Sequence, residues 1–210
     1  MDSSKLPIVI SAVALIVSLF ALWVNALRPF RLKVSHDTPR FRLYRITPEI
    51  SGSEDGSSWW IPSFDLGLSF YNVGKRSGEV SDVRIVGHLD GHRSRQQFVF
   101  YPKWVVDYAT FQRAGSERFK WINSAVLRDW YPFTLGGESE KDLHLVLEPG
   151  RWDHKQIGEL SLELEVFSSG SGKWTRKASY KLSVTDSMFD SKSSYAPYDE
   201  KMESRRNVEA

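Results

Sequence analysis

The stretch GHLDGHR holds the residue types closest to metal chemistry: on a continuous strand His88, Asp90 and His92 would share one face, two imidazoles and a carboxylate. Such a set would suit a metal-dependent hydrolase. The same stretch contains Asp90-Gly91, a two-residue hairpin signal, between the apolar alternation of Val83, Ile85 and Leu89 and the run QQFVFY. A turn there breaks the shared face, and the reading adopted is a tight hairpin that binds no metal. His144 lies between Leu143 and Leu145, on the outward side of a strand without an evident partner, while His36 and His154 stand beside aspartates in turn-like contexts. FSSGSGKW is a glycine–serine loop lacking both the strand-to-helix elbow of G-x-S-x-G chemistry and phosphate-loop spacing. Glu138, Glu140, Glu148, Glu159, Glu163 and Glu165 alternate with apolar residues or occupy loops, as on a solvated strand face. Thiol chemistry is excluded outright by the absence of cysteine. The expectation is a protein that is not an enzyme and needs no cofactor.

The elements that carry these residues begin with an unusual segment. From Leu6 to Leu27 no residue is charged, and at about 1.5 Å per residue this run makes a helix long enough for a hydrocarbon core of roughly 30 Å. The start MDSSK is a poor signal-peptide opening, although Val24 and Ala26 offer a cleavage site and keep processing as the alternative. Arg28, Arg31, Lys33, Arg40, Arg42 and Arg45 follow the span with only Asp37 opposing them, which by the positive-inside rule places the rest of the chain in the cytoplasm. The bland reading is that these arginines merely belong to the first strands. Within the span Ser11, Ala14, Ser18, Ala21 and Asn25 recur at steps of 3, 4, 3 and 4, a candidate helix-association face for self-assembly or a partner helix in the bilayer.

Beyond Pro29 the period changes to two. FDLGLSFYN sets Phe64, Leu66, Leu68 and Phe70 against Asp65, Gly67, Ser69 and Tyr71, and DLHLVLEP, GELSLELEVF and WTRKASYKLSV alternate in the same way. Runs at Phe41 to Ile46 and Val80 to Leu89, with FRLKVS, raise the number of strands to seven. Strands with one apolar face each call for an all-β, two-layer antiparallel β-sandwich over residues 28–185. The passages FYNVGKRSGEVSDVRI and YPFTLGGESEKDLHLVLEP resemble strand–turn–strand units of Ig-like and fibronectin-III-like sandwiches. That resemblance implies a fold and no activity.

Residues 98–133 break the alternation with 11 aromatics in 36 residues. Phe119, Ile122, Val126, Leu127 and Trp130 fit a helical face, so a connection with a short helix laid on the sandwich is expected. Trp104, Tyr108, Trp121 and Trp130 are its candidate interaction surface, the alternative being a satellite core beneath the helix. Residues 1–5 read as a tail, 51–58 as a flexible loop, and 186–210 as a disordered tail too polar to offset the entropy of ordering.

A formal charge of +2 with interspersed signs gives no footprint for nucleic acid. Two function classes remain beside the hydrolase. One is a single-pass protein of the plasma (inner) membrane, partnered by the bilayer and by another protein and acting as a non-catalytic interaction module. The other is an outward-facing carbohydrate-binding module that stacks sugars on Trp59, Trp60, Trp104 or Trp121.

Overall fold

An apolar run with no backbone breaker after Pro7 becomes helix α1, Leu6–Leu22, closed by a π-turn at Trp23–Leu27. Pro29 ends it: Arg28 takes φ −55°, ψ 120°, the extended conformation that a following proline favours. The structure is a computed structural model, and it describes residues 6–46, 59–89, 97–114, 123–150, 157–189, 194–195 and 197. Pro7–Leu27 is long and apolar enough to cross a membrane, and none of it is buried.

The alternating runs form antiparallel strands: β1 (Leu32–His36), β2 (Arg40–Ile46), β3 (Trp59–Asn72), β4 (Gly78–Leu89), β5 (Gln97–Val106), β6 (Val126–Asp129), β7 (Phe133–Leu135), β8 (Glu140–Pro149), β9 (Gly158–Ser168), β10 (Trp174–Val184) and β11 (Ser194–Tyr195). Helix α2, Tyr108–Ala114, lies between β5 and β6. The strands make one hydrogen-bonded path, β10-β9-β4-β5-β8-β3-β2-β11, with β1 on β3, β6 on β5 and β7 on β4. The expected all-β antiparallel architecture is therefore present, but as a single sheet rather than two separate ones. Its inner face curls on itself until Phe41, Phe64, Phe100, Leu145, Leu162 and Val166 share one core, and the sheet is nearly barrel-shaped. Bulges between Val80 and Asp82, Pro102 and Trp104, and Arg176 and Ala178 supply local bends. Tyr180 of β10, at one end of the path, and His36 of β1, which pairs with β3, lie 2.7 Å apart and join these strands without a ladder between them.

Four expectations change. Val126, Leu127 and Arg128 belong to strand β6, and the helix of this region is α2 instead; Phe119 and Ile122 lie outside the described residues. His88 pairs with Gln97, whereas a two-residue turn at Asp90-Gly91 would set Leu89 opposite His92; the connection spans 90–96, which is outside the described residues. The domain does not stop at 185. Asp186–Phe189 forms a 3-10 turn with Met188 and Phe189 buried in the main core, and Ser194–Tyr195 pairs with β2. The fourth change concerns His144, described next. The segments 1–5, 51–58 and 198–210 lie outside the described residues.

Candidate functional site

β1 and β2 lie end to end along one side of β3. His36 pairs with Leu68 and Arg40 with Asp65, so Asp37, Thr38 and Pro39 stand opposite only Leu66 and Gly67. This is a bulge, and bulges re-aim side chains. The Asp37 N–H donates to the Gly67 carbonyl at 3.0 Å, and the buried Pro39 has no N–H to lose. Asp37 swings over β3: a Cβ on Gly67 would lie 2.5 Å from Asp37 Oδ2 and 3.5 Å from His144 Nδ1. Glycine at 67 leaves a space that the Asp37 carboxylate and the His144 imidazole both border.

His144 reaches that point from β8, where it pairs with Gly67. It lies on the outer side of β8, with Leu143 and Leu145 turned to the core, but contrary to expectation it has partners: its Nε2 lies 3.3 Å from Asp65 Oδ1, and its ring packs against Tyr108 at 4.4 Å between centroids. Asp65 is 2 % exposed and accepts a second bond, 2.6 Å, from Arg42 Nε. A buried carboxylate requires such partners, since unpaired ionised groups are strongly disfavoured in a core. The other face of this cluster is covered by α2. Asp107 caps that helix by accepting the Thr110 N–H at 2.8 Å. Phe111, fully buried, packs with Tyr44, Val106, Ala125 and Val146 in a second, smaller core and lies 5.0 Å beneath the Arg42 guanidinium. Burial pushes the Tyr44 phenol up to about 12, with Arg42 pulling the other way.

The result is an open pocket of about 310 Å³ over β1, β3 and β8, with Asp37, Asp107, Asp142, His144, Tyr108 and Leu127 among its walls. Carboxylates beside an aromatic ring suit a cationic or hydrogen-bond-donating group. If Nε2 carries the proton that Asp65 accepts, His144 offers Nδ1 to the pocket as an acceptor; that tautomer is assigned from its partner. Among the described residues no group of three His, Cys, Asp or Glu is placed to hold a metal.

The aromatic residues singled out from sequence are divided between two places. Trp104 is half-buried against the smaller core, its ring 4.3 Å from the Lys103 amine, and Tyr108 is 43 % exposed at the pocket. Trp130 packs instead against the main core and edge-on to Phe133, while Trp121 lies outside the described residues. Trp60 stands edge-on to Phe189. On the helix, Ser11, Ala14, Ser18, Ala21 and Asn25 are all exposed; Ser18 donates to the Ala14 carbonyl at 2.8 Å, and Asn25 falls in the π-turn, where the α-helical spacing no longer holds. Sequence reasoning missed the Arg42–Asp65–His144 cluster. Its one signal was an acid and a glycine on the outward side of β3.

No family model and no curated protein matches the sequence. Two solved structures are similar at low identity. One is a protein from Bordetella pertussis described as putative ApaA, 10 % identical, with 76 % of this chain and 98 % of that one covered and a TM-score of 0.33. The other is an uncharacterized beta-sandwich protein from Clostridium difficile 630, 11 % identical, covering 72 % and 85 % with a TM-score of 0.35. At such values neither likeness speaks to activity.

Proposed function

We propose that the chain is a single-pass protein of the plasma (inner) membrane whose β domain, of Ig-like or fibronectin-III-like kind, is a non-catalytic interaction module on the cytoplasmic side. The observation that carries this reading is the helix Pro7–Leu27, apolar throughout and nowhere buried against the domain. An apolar surface of that size needs cover, and its length matches a bilayer. Arg28, Arg31 and Lys33 directly after the helix support the cytoplasmic side. The pocket rim at Tyr108 and Leu127, the latter 67 % exposed, offers a protein partner an apolar contact beside carboxylates. The Ser11 to Asn25 face serves association in the bilayer.

Alkaline carbonate extraction combined with a C-terminal reporter that works on only one side of the membrane tests the reading. The expected result is full-length chain in the pellet and a reporter active in the cytoplasm. A mature chain starting near Leu27 would make the helix a signal sequence, and a reporter active outside would reverse the topology.

A further inference from the structure

We infer that the end of the domain nearest α1 is a lipid-headgroup contact surface, clamped to the helix without a hinge and presenting Arg31, Lys33, Arg76 and Lys173 to anionic headgroups of the bilayer that holds the helix. The inference rests on the membrane-spanning reading of Pro7–Leu27.

Only residues 28–31 separate the π-turn from β1, and their backbone is tied to the domain. The Arg28 carbonyl accepts the N–H groups of Lys75 at 3.0 Å and Arg76 at 3.1 Å, and the Arg31 carbonyl accepts that of Val73 at 3.0 Å. Pro29 presses on Gly74, where a Cβ would lie 2.0 Å from the proline carbonyl oxygen. Phe30 wedges between Gly78 and Gly170: a Cβ on either would fall within 2.7 Å of its ring. A linker held at each residue cannot act as a swivel.

The turns that grip it are themselves joined. Asn72, fully buried, donates through Nδ2 to the carbonyls of Arg76 at 2.8 Å and Gly136 at 2.7 Å, and its Oδ1 accepts the Gly74 N–H at 2.9 Å. The Glu138 N–H reaches the Gly74 carbonyl at 3.0 Å, and Ser169 and Glu79 link the β9–β10 turn to the start of β4. Turns 73–77, 136–139 and 169–173 thus form a collar around the helix exit.

The collar and residues 28–33 carry six basic side chains, Arg28, Arg31, Lys33, Lys75, Arg76 and Lys173, against one acid, Glu138. Glu138 is occupied by Arg28 at 3.1 Å and Lys75 at 2.6 Å. Glu79 and Glu140 open the strands just beyond. Arg31, Lys33, Arg76 and Lys173 are exposed and have no carboxylate partner among the described residues. Trp23, half-exposed in the last turn of the helix, marks the depth at which interfacial aromatics sit. Basic groups so close to the end of a span lie within a Debye length of the headgroups.

Because the chain has no cysteine, single nitroxides can be placed on the full-length protein at Ser77→Cys, in the collar, and Ser183→Cys, roughly 30 Å away along β10. The chain is reconstituted into nanodiscs of phosphatidylcholine alone or with phosphatidylglycerol, each doped with a nickel-chelating lipid. Relaxation by the headgroup nickel should be several-fold stronger at position 77 than at 183. Phosphatidylglycerol should slow the motion of the position-77 label further, an increment lost in Arg31→Glu/Arg76→Glu/Lys173→Glu and kept in Arg31→Lys/Arg76→Lys/Lys173→Arg. Equal relaxation at the two positions in an incorporated chain, or an increment that ignores charge reversal, would overturn the contact while leaving the anchor standing. Failure to incorporate into discs at all would overturn both.

Discussion

Asp65 points away from the core by strand parity, yet it is only 2 % exposed, because α2 roofs the outer face of β3. Its pairing with Arg42 therefore matters as a unit. Asp65→Ala should destabilise the protein by about 3–5 kcal/mol in chemical denaturation of the detergent-solubilised chain, since it strands a buried guanidinium. The apolar pair Arg42→Met with Asp65→Leu should lose much less, and a double variant as unstable as the single would refute the argument. Tyr44 makes a second prediction. Its folded-state value of about 12 lies above the ordinary 10, so the fold favours the neutral phenol. The unfolded chain ionises first as pH rises, and stability is complete below pH 10 and falls between 10 and 12 by roughly 2–3 kcal/mol. Tyr44→Phe should remove that part of the alkaline slope and cost about 1–2 kcal/mol at neutral pH, where it gives up the hydrogen bond to the buried Ser63.

Among elements, α2 and β6 show why periodicity succeeded elsewhere and failed between 98 and 133. Five-residue or longer strands such as β3, β8, β9 and β10 display two or more full alternations, and their inward residues all enter the main core. β6 has four residues, with Val126 half-buried and Leu127 exposed, so its alternation is too short to outweigh a chance helical spacing. Its pairing with Trp104 to Val106 of β5 decides the conformation. α2, seven residues long, is equally invisible to a helical period and is held by its Asp107 cap and by Phe111. Phe111→Ala should cost about 3–5 kcal/mol and, in hydrogen exchange, release the amides of α2 before those of β3. Protection of α2 unchanged in that variant would show that the small core does not hold the helix.

At the scale of the whole molecule, residues 186–210 read as a tail because their average composition cannot offset ordering. An average hides two residues. Met188 and Phe189 reach the main core, with Phe189 5.5 Å edge-on from Trp60. Phe189→Ala should lower stability by about 3–5 kcal/mol, and truncation after Thr185 by at least as much, measured by thermal unfolding. A truncated chain as stable as the full one would return the segment to the tail.

The local period of the sequence by itself determined which residues of each long strand face inward, that Leu6 to Leu27 is an uncharged helix, and that basic residues follow it. These are properties of neighbours a few positions apart, and side-chain direction in strand or helix converts them directly into faces. Tertiary structure alone decided that the strands form one curled sheet, that Gly67 makes room for Asp37 beside His144, and that Asn72 ties two turns, with a third joined through Ser169 and Glu79, around Arg28 to Arg31. Each of those depends on pairings between residues dozens of positions apart, where register and closure are fixed by the packing of the whole core and leave no periodic trace in the chain.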